Sequence, residues 1–125
     1  MEWTFSDSAP IYSQLMQKFK LAIVSGELAP GEKLSAVREL AVQAGVNPNT
    51  MQRALSELER EGLVASQRTS GRFVTEDLAV IAAAKKELAD KKVRDFLGDM
   101  SVLGYSREEI TKIIAESEKT TNGNS

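Results

Sequence analysis

Asn47, Asn49, Thr50, Gln52 and Arg53 fall within seven consecutive positions. Their side chains share one kind of chemistry. The amides of Asn and Gln can donate and accept at once, as the edge of adenine requires. Arg presents paired donors that match guanine, and the Thr methyl can meet thymine. A second set, Arg68, Thr69, Ser70, Gly71 and Arg72, is small and basic, suited to phosphates or to the narrow groove of a duplex. Covalent chemistry has few tools here, because the chain has no His and no Cys. Zinc sites built on thiolate or imidazole are therefore not expected, and His- or Cys-based nucleophilic machinery is excluded. The sequence implies no metal, no cofactor and no enzyme.

The first set can face one way only if it lies on a helix, and local signals place one at 47–61. Asn47 is a capping residue, and Pro48 follows at the first helical position. Met51, Ala54, Leu55 and Leu58 form the inward stripe, and Gly62 stops the helix. Upstream, Ser8 as a cap and Pro10 in the first turn predict a helix over 9–25, with Ile11, Leu15, Phe19, Ala22 and Ile23 inward and Gly26 at its end. Pro30-Gly31 marks a turn. Ser35 caps a second helix at 36–44, with Val37, Leu40 and Ala41 inward and Gly45 closing it. Ala41 and Gly45 give the small residue and tight turn that let the next helix pack closely. Leu63–Ser66 and Arg72–Thr75 flank a Gly-containing tip and read as a hairpin. Trp3 and Phe5 alternate with polar residues and predict an arm lying against the domain.

Beyond Asp77 the pattern changes. One long helix is predicted to about Met100, with Ala82, Leu88, Ala89, Val93, Phe96, Leu97 and Met100 as its stripe. Ser106 and Glu109 form a capping box opening a last helix with Ile110, Ile113 and Ile114 inward. The polar tail 120–125 is expected to be disordered. The fold class is mostly α with a small β-hairpin: a winged helix-turn-helix over 1–75, then a two-helix dimerisation region over 76–119. Leu88, Val93, Phe96, Leu97, Met100, Ile110, Ile113 and Ile114 are its candidate interface, because little else in the chain could cover them.

The net charge of −2 is mildly unfavourable for a nucleic-acid binder, but its distribution is not. Within 33–74, six basic residues (Lys33, Arg38, Arg53, Arg60, Arg68, Arg72) face four acidic ones (Glu39, Glu57, Glu59, Glu61). The charged residues near the end of this segment's helix, Glu57, Glu59, Arg60 and Glu61, read as a solvated face. No apolar run approaches the ~20 residues of a membrane span. No signal-peptide pattern is present, and the lack of Cys fits a reducing compartment, so a cytoplasmic location is expected.

Four blocks occur in order: Gly31-Glu-Lys-Leu-Ser-Ala-Val-Arg-Glu-Leu-Ala, Gly45-Val-Asn-Pro-Asn-Thr-Met-Gln-Arg-Ala-Leu, Leu58-Glu-Arg-Glu-Gly-Leu-Val and Ser70-Gly-Arg-Phe-Val. With the Pro10-Ile-Tyr-Ser-Gln-Leu opening they resemble the GntR family of bacterial regulators, and the short helical C-terminal region resembles its YtrA-like subfamily. The resemblance implies that Arg38 contacts DNA, that Asn49, Thr50 and Gln52 read or anchor on the third helix, and that Ser70, Gly71 and Arg72 form a wing tip in the minor groove. It also implies that the C-terminal helices dimerise. Two positions depart from the pattern: Leu34-Ser35-Ala36 replaces Leu-Pro-Ser, and Thr69-Ser70-Gly71 replaces Gly-x-Gly.

The full set expected to touch DNA is Lys33, Ser35, Arg38, Asn47, Asn49, Thr50, Gln52, Arg53, Arg68, Ser70, Gly71 and Arg72. The expected function is sequence-specific transcription regulation, as a repressor, by a homodimer on a palindromic double-stranded operator. Helix 47–61 would enter the major groove, and wing 67–72 would lie in or near the minor groove. A winged helix used only to bind other proteins is the alternative. A small-molecule effector has no identity in the sequence; Phe96, Met100 and Tyr105 could line a cleft for one but read first as interface core.

Overall fold

The computed structural model describes residues 1–124, with side chains through Glu118. Its elements are α1 (Ile11–Ser25), α2 (Val37–Ala44), α3 (Pro48–Arg60), β1 (Val64–Gln67), β2 (Gly71–Val74), α4 (Leu78–Val102) and α5 (Arg107–Asn124). The chain divides into two compact units, Met1–Lys86 and Glu87–Ser125, so the break falls inside α4.

The first unit is three helices and a hairpin around one core. Leu15, Phe19 and Ile23 of α1 pack with Leu40 and Ala41 of α2 and with Met51, Ala54, Leu55 and Leu58 of α3. Leu63, Val64 and Val74 close the core from the hairpin. The arm lies on this core as predicted: the Trp3 ring meets Phe19 edge-on, 5.8 Å between centroids, and Lys18 sits over Phe5. Val80, Ile81 and Ala84 in the first turns of α4 also pack here. Ala82, assigned to the inward stripe by its spacing, is exposed instead, because the face of α4 that meets the core runs through its neighbours.

Two local expectations change. Ser8 does not cap α1; the cap is Pro10, and the Ser8 hydroxyl bonds that of Ser6. Ser35 does not cap α2 either, since that helix starts one residue later, after Ala36, with no side-chain cap. The turn expected at Pro30-Gly31 forms, closed by Glu32 N–H donating to the Ala29 carbonyl at 3.0 Å, and the chain beyond it continues as a short third edge to the hairpin. Gly31 N–H donates to the Val74 carbonyl, Val74 N–H to that of Glu32, and Leu34 N–H to that of Arg72, all at 2.8–2.9 Å. The hairpin register pairs Val64 with Val74 and Gln67 with Gly71.

In the second unit Ile110 is buried, whereas Val93, Phe96 and Ile114 are exposed. The capping box forms as predicted: Ser106 N–H donates to Glu109 Oε1 at 3.0 Å and Glu109 N–H to Ser106 Oγ at 3.2 Å. Helix α5 runs through Asn124, over most of the tail expected to be disordered. Once a helix is nucleated, each added residue gains a hydrogen bond, so a weak sequence can be carried along. Ser125 lies outside the described residues.

Candidate nucleic-acid interface

The base-reading set stands on α3. Asn47 has extended backbone angles, and its side-chain oxygen accepts the Asn49 N–H at 2.7 Å. Its amide is therefore committed first to the helix start, and its role as cap is met. Pro48 occupies the first turn, where a missing N–H costs nothing. Burial of Met51, Ala54, Leu55 and Leu58 turns Asn49, Gln52, Arg53 and Ser56 outward, and all four are exposed. Thr50 is half-buried at the edge of this face. Gln52 Nε2 donates to Ser56 Oγ at 3.0 Å, leaving its carbonyl oxygen available. The Arg53 guanidinium lies over the Tyr12 ring of α1, 4.0 Å from its centroid.

The wing stands beside the start of α2. A groove of ≈ 400 Å³ is lined by Lys33 to Val37 on one side and Thr69 to Arg72 on the other. The turn at the tip closes through Ser70 N–H to the Gln67 carbonyl at 3.0 Å. Only Gly71 needs a left-handed backbone, at φ +101, so the Thr69-Ser70 departure leaves the hairpin intact. A Cβ at Gly71 would also lie 3.2 Å from Lys33 Cε, inside this groove. Lys33, Ser35, Arg38, Arg68 and Ser70 are all exposed. Arg38, Lys33 and Arg68 have no ion-pair partner among the described residues.

Arg72 is different. Its Nε donates to Glu59 Oε1 at 3.4 Å, and the same oxygen accepts the Ser66 hydroxyl at 2.6 Å. Glu59 thus ties α3 to both strands of the hairpin, and Arg72 is a half-buried, tethered cation. The face read as solvated is only partly so. Glu57 pairs with Arg60 along the helix, but Glu61 reaches Lys20 of α1 at 2.9 Å. The hydrogen bond from Arg60 holds the Glu57 carboxyl below its ordinary value, with Arg53 adding to the field.

A family model described as bacterial regulatory proteins, gntR family, matches residues 11–74, about half of the chain. The chain belongs to the gntR family of bacterial regulatory proteins. It is 40% identical over 110 residues to the uncharacterized regulator YhcF of Bacillus subtilis, covering 88% of this chain and 91% of that protein. It is 34% identical over 110 residues to the transcriptional repressor YtrA of the same organism, covering 87% and 85%. A GntR family regulator from Listeria monocytogenes superposes with a TM-score of 0.81 at 40% identity, covering 92% of this chain and 98% of that one. The DNA-binding domain of AraR, solved with operator ORX1, superposes with a TM-score of 0.52 at 29% identity, covering 60% and 92%.

The fold is therefore the winged helix of GntR regulators, and this member is a DNA-binding transcription regulator rather than an enzyme. No helix among the described residues is long and apolar enough to cross a membrane. Sequence reasoning missed Tyr12 and Glu59. Tyr12 is not among the residues read as the α1 stripe, and nothing in its local sequence marks it as a partner for Arg53. Glu59 is one of several alternating charges, and only the return of the hairpin selects it. The third edge at 31–34 was missed because Pro and Gly mask its short extended run.

Proposed function

We propose that this GntR regulator acts as a homodimer that represses transcription from a palindromic operator in the cytoplasm. Helix α3 would enter the major groove and the wing at 67–72 would lie in or near the minor groove. The observation that carries this reading is the outward face of α3. Asn49, Gln52 and Arg53 are exposed polar groups backed by a fully buried stripe, so the helix presents donors and acceptors from a rigid base. Arg38 and Lys33 have no ion-pair partner among the described residues and are set to meet phosphates. One winged unit reads few base pairs. A two-fold pair reads two half-sites, and the exposed Val93, Phe96 and Ile114 supply surface for that pairing. Phe96, Met100 and Tyr105 are read as part of that surface rather than as an effector cleft.

The test begins with duplexes enriched from random-sequence DNA by the full chain. Arg38→Ala and Gln52→Ala are expected to weaken binding to the enriched duplex without lowering the melting temperature. The Gln52 variant should lose the equivalent of about 1–3 kcal/mol. Wild-type affinity should fall steeply with salt. Unchanged affinity in both variants would remove α3 and α2 from the DNA contact, and a monomer by sedimentation at micromolar concentration would remove the dimer.

A further inference from the structure

Tyr12 is half-buried in the first turn of α1 and packs against the core, which fixes its ring. Arg53 rises from the outward face of α3, and its guanidinium carbon lies 4.0 Å from the centre of that ring. Glu57, one helical turn further on, is engaged by Arg60. Among the described residues, the aromatic face is thus the direct contact that holds the Arg53 head group, and Glu57 acts on it only through its field. An arginine left in solvent samples many rotamers, and binding must order them. A guanidinium held through its face keeps its in-plane N–H donors directed outward, and those are the donors that pair with guanine O6 and N7.

We propose that Tyr12 is a specificity-determining residue that acts through Arg53. The ring holds the guanidinium ready for one guanine of the operator, and the Tyr12 hydroxyl plays no part. This rests on α3 being the base-reading helix. A half-buried residue outside the reading helix would then set which base one position accepts.

The test measures affinity for the wild-type-enriched duplex and for a scrambled duplex at one salt concentration, together with base preference at each position. Tyr12→Phe keeps the ring and is expected to stay within about twofold of wild type. Tyr12→Leu and Arg53→Ala are each expected to weaken binding to the enriched duplex by about 3- to 30-fold. Both should relax preference at the same guanine, and the double variant should be no worse than Arg53→Ala alone. If Tyr12→Leu fails to fold, Tyr12→Trp takes its place, with binding expected at or above wild type because Trp is the strongest cation–π partner.

Three results would overturn the proposal. Tyr12→Phe could fall with Tyr12→Leu, which would make the hydroxyl the contact. The Leu and Arg53 losses could add, which would make them independent. The loss could be equal on the scrambled duplex, which would make Arg53 a phosphate contact. Failure of Asn49→Ala and Gln52→Ala to weaken binding would sink the reading of α3 itself; their weakening with Tyr12→Leu unchanged sinks only the role given to Tyr12.

Discussion

The two units of the chain treat their apolar residues in opposite ways. Every buried hydrophobic residue but Ile110 lies between Leu15 and Val74. There the helices and the hairpin cover one another. Beyond Glu87 the stripe is as regular in sequence, yet Leu88, Leu97, Met100 and Ile113 are half-buried and Val93, Phe96 and Ile114 exposed. Helical periodicity states that a face exists; it does not state what covers it. The first unit completes its own core, and the second offers half of one. On the dimer reading, a second copy supplies the other half.

The widest gap between the units should be in stability. Leu55 is fully buried at the centre of α3. Leu55→Ala is expected to cost about 2–5 kcal/mol, a large share of a small domain's stability. Phe96→Ala removes a larger ring that is 39% exposed in one chain. It should leave the unfolding of Met1–Lys86 unchanged at concentrations where the protein is monomeric. Denaturant unfolding at low concentration checks both. Equal losses would mean that the second unit supports the first, and the comparison would break.

Association should reverse the ranking. Placing a charge in a buried interface opposes its closure, so Phe96→Glu is expected to weaken dimerisation by roughly 30-fold or more. Leu55 should matter to association only through folding. Sedimentation across a concentration series, with the winged unit's thermal melt as a control, separates the two effects. A dimer unaffected by Phe96→Glu would move the interface elsewhere.

The same contrast explains what was legible in the sequence. Met51, Ala54, Leu55 and Leu58 could be placed because a strong apolar stripe, an Asn47-Pro48 start and a Gly62 stop agree with each other. Ser106 and Glu109 were legible because a capping box is wholly local. Ser35 was misplaced because a cap one residue from the true start has the same composition signature. Arg72 was legible as a wing cation, but its tether to Glu59 spans thirteen positions and needs the hairpin to exist first. Tyr12 beneath Arg53 is of the same kind: each residue has an ordinary local reading, and only the packing of α1 on α3 joins them. Local chemistry reaches as far as a turn of helix, and contacts between elements need the fold.

Caps offer a matched pair of smaller effects, one in each unit. Asn47→Ala removes the oxygen that accepts Asn49 N–H and should cost about 1 kcal/mol. Because α3 is packed into the core, that loss should lower the thermal midpoint of the whole winged unit. Ser106→Ala removes one arm of the α5 box. Its effect should be confined to α5, visible as faster amide exchange there with the winged unit's melt unchanged. A common shift in both regions would show that they unfold together.

The smallest expected effects are in acid, and they too divide between the units. Hydrogen bonds from Thr4, then from the Lys18 ammonium, lower the Glu2 carboxyl from 4.5 to about 2. Glu109 lies below its ordinary value because the Ser106 backbone N–H donates to it first, with the Ser106 side chain adding. A carboxyl depressed in the folded state contributes fully above its unfolded value, and the contribution is lost as pH falls through the folded one. For Glu2 that window runs from 4.5 down to about 2. Its loss should loosen the arm that holds Trp3 on Phe19. Trp3 is the only tryptophan, so its fluorescence reports the arm alone. Glu2→Gln should abolish the fluorescence change between pH 4.5 and 2 while leaving the acid loss of helicity that Glu109 governs. Glu109→Gln should do the converse. If either variant removes both changes, acid acts on one cooperative structure.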